Sequence, residues 1–162
     1  MDLTISTQSV MLFTLAEIYR APEVILDAGY SYSADIWSLG VMLWDLLEGK
    51  KPFKEVDPLQ VQGYDEFNRL GRISALLGSP PRKLLEKGSR THLLYKPDGQ
   101  FKGTAIAPSN FNFEKSIYNT YNENKSMFVE FVRRMIKWNP DERTTAKELL
   151  EDPWLYAEFD ED

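Results

Sequence analysis

The run IWSLGVMLWDLL, from Ile36 to Leu47, is apolar at nine of its twelve positions. A helix that is apolar nearly all round its circumference belongs in the middle of a hydrophobic core. The residues that signal its ends are Ser31 or Ser33 as N-cap, Asp35 in the favourable first turn, and Gly49 and Pro52 after the last turn. The sequence therefore predicts a mainly α fold arranged around one central buried helix.

Three further helices are predicted where apolar residues recur at three- and four-residue steps. They are expected from Tyr64 to Leu77, from Ser126 to Trp138, and from Thr145 to a stop at Pro153. Gly78 ends the first of these because glycine readily takes the left-handed conformation that follows a helix. Thr145 and Glu148 form a capping-box pattern at the start of the last one.

The region from about Ser79 to Lys125 carries several turn signals and no long periodic pattern. An unstructured connection of this length is uncommon inside a compact domain, so a functional insertion or a partly mobile segment is expected. Its stretch HLLYKPDGQFK is typical of two short extended pieces around a Pro-Asp-Gly turn. From Arg82 to Lys102 this region has a local charge of +4, which is typical of a solvated insertion or of contact with an acidic partner. The charged residues counted are Arg82, Lys83, Lys87, Arg90, Lys96 and Lys102 against Glu86 and Asp98.

Composition excludes several classes of function. The 162 residues contain no cysteine and one histidine, His92, which excludes a disulfide framework, a thiol nucleophile, a cysteine-based metal site and a histidine-rich metal centre. The net charge of −6 argues against a nucleic-acid partner. No apolar run approaches the roughly 20 residues that cross a bilayer, and no basic segment marks an N-terminal signal, so no membrane contact is expected. A soluble intracellular protein, in cytoplasm or nucleus, is predicted.

Acidic residues are concentrated at the C-terminal end. The last fifteen residues hold no lysine or arginine but seven acids, and the rest of the chain is close to neutral at +1. The seven are Glu148, Glu151, Asp152, Glu158, Asp160, Glu161 and Asp162. Such a segment is typically a solvated tail, which we place at residues 157–162.

Three motifs are specific when they are taken together and in order. They are YRAPE at residues 19–23, DIWSLGV at 35–41, and WNPDERTTA at 138–146, which DPWL follows at 152–155. In this order they resemble the eukaryotic protein kinases. The activation segment of that family closes with Ala-Pro-Glu, its central F helix carries D-x-W-S-x-G-V, and an arginine-containing block precedes its last helix.

The resemblance implies roles for particular residues. Glu23 is expected to form a buried ion pair with Arg143, the alternative being two unrelated surface charges. In the family Asp35 accepts hydrogen bonds from the catalytic loop; without that loop it serves only as a helix N-terminal acid. Trp37 and Gly40 complete the structural motif. The substrate-facing P+1 region is implied at Tyr19, Arg20, Ala21 and Pro22.

Three features resemble the CMGC group of kinases. They are Tyr19-Arg20 before Ala-Pro-Glu, the Leu-Gly-Ser-Pro sequence that ends a helix at residues 77–80, and the long insertion that follows. YRAPEVILDAGYSYSADIWSLGVMLWDLLEGKKPF and LLGSPPRKLLEKG are similar to fungal relatives of the SR-protein kinases. That group phosphorylates serine in Arg/Ser-rich proteins with ATP and magnesium. Ala16 stands where the family's P+1 loop has threonine, so the usual contact from that threonine is not expected.

The parts of a kinase that perform phosphoryl transfer are not found in this sequence. Transfer needs a glycine-rich loop, a lysine paired with a glutamate, a catalytic aspartate with its asparagine, and a metal-binding aspartate. No G-x-G-x-x-G, His-Arg-Asp or Asp-Phe-Gly occurs. No catalytic, cofactor-binding or metal-binding residue is therefore predicted, and ATP and magnesium are expected only in a complete family member.

The expected architecture is a kinase-like C-terminal lobe at residues 19–156, after a poorly matched segment 1–18. It has a central F-like helix, G-, H- and I-like helices and a loop-rich insertion, without the N-terminal lobe. Two functions are open: the truncated, inactive C-terminal part of a serine/threonine kinase, or a non-catalytic helical interaction module of pseudokinase type. A protein substrate or partner at the surface of the lobe is expected. Self-association through apolar surface that the missing parts would cover is also expected.

Overall fold

A computed structural model describes residues 17–48, 66–103, 111–119 and 122–157. The helices are α1 (Pro22–Ile25), α2 (Ser33–Glu48), α3 (Glu66–Leu77), α4 (Arg82–Lys87), α5 (Thr91–Leu94), α6 (Phe113–Ser116), α7 (Asn122–Met135) and α8 (Ala146–Leu149), with 3-10 turns at Pro140–Glu142 and Pro153–Tyr156. In these four ranges the only β pairing is a single antiparallel bridge between Tyr95 and Phe101. The mainly α fold predicted from the sequence is confirmed.

Helix α2 packs one face against α7. The buried residues on that face include Trp37, Gly40, Val41 and Trp44. A Cβ atom placed on Gly40 would lie 3.0 Å from the Cβ atom of Met135, a distance at which one of the two helices would have to shift. Glycine at this position therefore permits the close approach of the two helices.

The opposite face of α2 is exposed. Leu39, Met42 and Leu46 recur on this face at three- and four-residue steps, and their exposed fractions are 36%, 40% and 71%. Asp35, also exposed, lies four residues before Leu39 on the same face. We call these four residues the open face of α2. The prediction that the helix is buried nearly all round is wrong for this face, because uniform apolarity does not show which side other residues cover.

Helix α7 completes the core together with the C-terminal 3-10 turn. The Trp154 ring stacks on Phe131 with 4.9 Å between ring centroids, and it lies 5.2 Å from Phe128. Helix α7 begins four residues before the predicted Ser126, because its polar first turn has no apolar periodicity. It ends three residues before the predicted Trp138, whose indole N–H instead donates to the Gly78 carbonyl at 3.0 Å.

Of the predicted boundaries of α3 and α8, two are confirmed and one is wrong. Helix α3 ends at Leu77, and Gly78 has φ +80° as expected. The capping box of Thr145 and Glu148 is present at the start of α8. That helix ends at Leu149, before the predicted stop, because Pro153 starts a separate 3-10 turn that Asp152 caps. The predicted start at Tyr64 lies outside the described residues.

The region after Ser79 is more ordered than the sequence indicated, since it contains α4, α5, α6 and the first turn of α7. The first predicted extended piece is wrong at His92–Leu94, because the Tyr95 N–H donates to the Thr91 carbonyl at 2.8 Å and closes a helical turn. The Pro-Asp-Gly turn is confirmed, with Gly99 at φ +84°.

Part of the charge of the +4 stretch is neutralised within the fold. Arg82 pairs with Glu86 at 2.9 Å, and Arg90 pairs with Glu66 at 2.7 Å.

The acidic C-terminal end divides in a similar way. Asp152 is buried and accepts a hydrogen bond from Arg134 at 2.5 Å, whereas residues 158–162 lie outside the described part of the chain. Across the described ranges, no helix is long and apolar enough to span a bilayer.

Candidate functional site

Glu23 and Arg143 form a bidentate ion pair although they lie 120 residues apart. Arg143 Nη1 donates to Glu23 Oε1 at 2.6 Å, and Nη2 donates to Oε2 at 2.7 Å. The two side chains are 0% and 1% exposed. The pairing that the resemblance implied is thus present, and solvent is excluded from it.

The remaining donors of Arg143 reach two other parts of the chain. Nη1 also donates to the Ser33 carbonyl at 2.8 Å, and Nε donates to the Lys137 carbonyl at 3.1 Å. The guanidinium carbon lies 5.1 Å from the centroid of the Trp37 ring, within the range of a cation–π contact. Arg143 therefore ties α1 to the first turn of α2 and to the segment that follows α7.

Local sequence positions both partners of the ion pair. Pro22 occupies the first position of α1, where its missing N–H costs nothing, and Glu23 follows in the first turn. Arg143 follows the 3-10 turn Pro140–Glu142, whose cap Asn139 accepts a hydrogen bond from the Asp141 N–H at 3.2 Å. Each charged side chain thus lies in or directly after a short helical element that begins with proline.

The backbone before Glu23 is held by α2 and α3. Ser38 Oγ donates to the Tyr19 carbonyl at 3.0 Å. Arg69, which is only 4% exposed, donates from Nη2 to the Arg20 carbonyl at 2.8 Å and from Nη1 to the Ile18 carbonyl. Three consecutive carbonyls are therefore fixed by two side chains.

The side chains of the implied P+1 region are divided between core and surface. Ala21 and Pro22 are buried, whereas Tyr19 and Arg20 are half-buried. The Tyr19 hydroxyl donates to Asp45 Oδ2 at 2.7 Å. Burial, followed by this hydrogen bond and the negative charge of Asp45, raises the pKa of Tyr19 to about 12. Tyr19 and Arg20 are therefore the side chains of this region that reach the surface.

Sequence reasoning missed three residues that build this arrangement: Asp45, Arg69 and Glu48. Glu48, 2% exposed, accepts hydrogen bonds from the backbone N–H groups of Tyr118 and Asn119 at 2.5 and 2.9 Å. It thereby joins the C-terminal end of α2 to the segment after α6. The sequence held a signal for two of these residues. Glu48 is a carboxylate at the end of an apolar helix, and Arg69 is an arginine inside an amphipathic helix. A charge that becomes buried in such a position requires partners.

The described residues do not fit a nucleotide and magnesium site. Among them no group of three or more histidine or carboxylate side chains is placed to hold a metal ion. Glu23 is engaged by Arg143, and Asp45 by Tyr19. Asp35, the acid of the D-x-W-S-x-G-V motif, is an exposed residue in the first turn of α2. The arrangement fixes the backbone segment at residues 18–20.

Comparison with known proteins identifies the class. The protein kinase domain family matches residues 3–155, nearly the whole chain, and the match includes most of the segment before Tyr19. The chain therefore belongs to the protein kinase domain family. Family members generally use ATP and magnesium.

The relatives of this chain include serine/threonine and dual specificity kinases. A serine/threonine protein kinase of Aspergillus fumigatus is 39% identical over 142 residues, which cover 88% of this chain and 35% of the relative. The dual specificity tyrosine-phosphorylation-regulated kinase mbk-2 of Caenorhabditis elegans is 33% identical over 91% of this chain and 20% of its own length. The human dual specificity tyrosine-phosphorylation-regulated kinase 3 is 29% identical over 91% of the chain and 27% of its own. These matches support the CMGC assignment, and the chain spans about a third or less of each relative.

Proposed function

We propose that residues 19–156 are the C-terminal lobe of a serine/threonine protein kinase domain of the CMGC group. A complete kinase of this kind transfers the γ-phosphate of ATP to a protein hydroxyl group. The observation that carries the proposal is the buried pair of Glu23 and Arg143. Glu23 belongs to the Ala-Pro-Glu motif and Arg143 to the motif at residues 138–146. Arg143 also contacts Trp37, which belongs to the motif at residues 35–41.

The fixed backbone at residues 18–22 gives this lobe its part in substrate binding. A peptide substrate is positioned by groups that do not move when it binds, because ordering them beforehand lowers the cost of binding. Arg69 and Ser38 hold the carbonyls of this segment, and Tyr19 and Arg20 reach the surface. We assign the segment to the substrate-facing P+1 region.

The substrate class proposed here is serine in Arg/Ser-rich proteins, from the resemblance to fungal SR-protein-kinase-like sequences. Two of the relatives named above are instead dual specificity tyrosine-phosphorylation-regulated kinases. A panel of Arg/Ser-repeat peptides and of matched peptides with tyrosine in place of serine, tested on a complete kinase that carries this lobe, distinguishes serine preference from dual specificity. Equal or faster phosphorylation of the tyrosine peptides, or equal phosphorylation of a serine peptide without arginine, would contradict the Arg/Ser assignment.

This chain by itself is proposed to be inactive, because its sequence holds no glycine-rich loop, His-Arg-Asp or Asp-Phe-Gly motif. We expect titration calorimetry with Mg-ATP to give no saturable heat. We also expect no transfer of labelled phosphate to an Arg/Ser-repeat peptide, with the full-length Aspergillus relative as the positive control. Saturable ATP binding by the 162-residue chain would falsify this assignment.

The open face of α2 supports a second candidate function, a non-catalytic interaction module. Its exposed leucines and methionine are a surface on which further polypeptide packs, and the aligned residues make up 35% or less of each relative named. In the kinase proposal this polypeptide is the rest of the domain. In the alternative it is a separate partner, or a second copy of the chain.

Measuring self-association tests whether the open face binds a second copy of the chain. We expect the chain to form concentration-dependent oligomers in analytical ultracentrifugation, and the double variant Met42→Glu/Leu46→Glu to sediment as a monomer. Leu150→Glu is the matched control, since Leu150 is 64% exposed but lies outside α2. If the control variant dissociates the oligomers equally well, the open face is not the surface involved.

A further inference from the structure

A surface groove of about 770 Å³ is lined in part by Glu23. Its other lining residues come from the loop after α1, from Pro81 and α4, and from the 3-10 turn Pro140–Glu142 together with its cap. Its volume is in the range of roughly 300–1,000 Å³ that ligand clefts show. It is separate from the backbone segment that α2 and α3 hold, so an inference about it does not depend on the proposed function.

The groove is lined by charges of both signs. Lys83 and Lys87, one helical turn apart, line it from α4, and Asp141 and Glu142 line it from the 3-10 turn. Within the described part of the chain, none of these four side chains forms an ion pair, although each faces the same groove as two residues of opposite charge. The basic and acidic walls are therefore separated by more than the 4 Å reach of an ion pair.

The lining of the groove also includes apolar and aromatic residues. Leu84 is buried in α4, and Pro81 and Pro140 lie at the ends of the two charged elements. Tyr30 also lines the groove, and its side chain is 72% exposed. Exposed tyrosines are among the residues that contribute most to protein interfaces, because they bury a large rigid ring and keep a polar end.

We propose that this charged groove is a docking site for a short linear segment of a partner protein. The segment carries an acidic side chain and a basic side chain on either side of an apolar one. Its acidic end pairs with Lys83 and Lys87, its basic end pairs with Asp141 and Glu142, and its apolar residue packs on Leu84. Opposite charges at the two ends also fix the direction in which the segment lies, since reversal would bring like charges together.

Three fluorescein-labelled peptides test the docking site on the full chain by fluorescence anisotropy. The mixed peptide is Glu-Glu-Ala-Leu-Ala-Arg-Arg; the other two carry glutamate at both ends or arginine at both ends. We expect saturable binding of the mixed peptide and at least about fivefold weaker binding of the other two, because each meets one wall of like charge. Absence of saturable binding by the mixed peptide, or equal binding of all three, would overturn the proposal.

Charge-reversal variants then test which end of the mixed peptide binds which charged wall of the groove. Lys83→Glu/Lys87→Glu is expected to weaken binding of the mixed peptide roughly tenfold, as two lost surface ion pairs allow. Asp141→Lys/Glu142→Lys is expected to weaken it similarly and to strengthen binding of the all-acidic peptide. The matched control is Lys115→Glu/Lys147→Glu, two exposed lysines that do not line the groove.

The control decides between a site and a general effect of charge. An equal loss in the control variant would show that net charge, and not the groove, attracts the peptide. A loss confined to the groove variants, with urea midpoints of all variants within error of the unmodified chain, supports the docking site. The four groove residues and both control lysines are exposed, and the hydrogen bond that Glu142 accepts from Asn139 Nδ2 at 3.0 Å is also at the surface, so unchanged folding is the expected result.

Discussion

The two faces of helix α2 are made of similar residues but have different surroundings. One face packs on α7 and on the guanidinium of Arg143, and Trp37 and Trp44 on it are almost fully buried. The other face presents Leu39, Met42 and Leu46 to solvent. Among the described residues, therefore, one face of this apolar helix is covered and the other is exposed.

The buried face is also the one that organises the candidate site. Arg143 reaches the Ser33 carbonyl at its N-terminal end, Ser38 holds the Tyr19 carbonyl, and Glu48 anchors the segment after α6 at its C-terminal end. Those contacts connect distant parts of the sequence to one helix. The open face lacks such polar connections within the described ranges, which suits a surface whose partner lies elsewhere.

The largest effect is expected from the ion pair beside the buried face. Arg143→Ala leaves Glu23 charged and buried, which typically costs about 3–5 kcal/mol of unfolding free energy. Urea denaturation measures the cost. Arg82→Ala is the control, because the Arg82 side chain is 89% exposed and its loss should change stability by less than about 0.5 kcal/mol. Equal urea midpoints for the two variants would contradict a structural role for the pair.

The second-largest loss of stability is expected when a buried residue of α2 is truncated to alanine, compared with an exposed residue of the same helix. Trp44→Ala removes a side chain that is 1% exposed and should cost about 3–5 kcal/mol in unfolding free energy. Leu46→Ala, two residues further along the helix and 71% exposed, should change it by less than about 0.5 kcal/mol. Similar losses in dilute monomeric protein would show that the open face is covered within the chain itself.

The sequence predicted those features that depend on local chemistry. The capping box at Thr145, the left-handed Gly78 and the turn at Gly99 each require a particular residue type, so their positions could be identified directly. The pairing of Glu23 with Arg143 was also accessible, but only because two motifs occur in a familiar order. Nothing in the spacing of 120 residues requires them to meet.

Features that depend on distant contacts could not be predicted. The composition of α2 is apolar on both sides, so the hydrophobic pattern does not distinguish the face that packs on α7 from the open face. The buried charges of Arg69 and Glu48 are explained by backbone groups 49 to 71 residues away. Only the fold brings those carbonyl and amide groups within hydrogen-bonding distance.

The smallest effect concerns the hydrogen bond from Tyr19 to Asp45 on α2. The pKa of Tyr19 is about 12 in the folded protein, against about 10 in an unfolded chain, so the folded state holds this proton more tightly. The stabilisation is therefore fully present below about pH 10 and is lost as the pH rises towards 12. Because the ring is only partly buried, solvent screening should keep the contribution below about 1 kcal/mol.

Urea midpoints at pH 9 and pH 11 measure this contribution in two matched variants. Tyr19→Phe removes the titrating hydroxyl, whereas Tyr32→Phe removes one from a side chain that is 90% exposed. The unmodified chain and Tyr32→Phe should lose the same stability between the two pH values, and Tyr19→Phe should lose less. If all three lose equal stability, the hydrogen bond from Tyr19 to Asp45 does not help hold the P+1 segment against the buried side of α2.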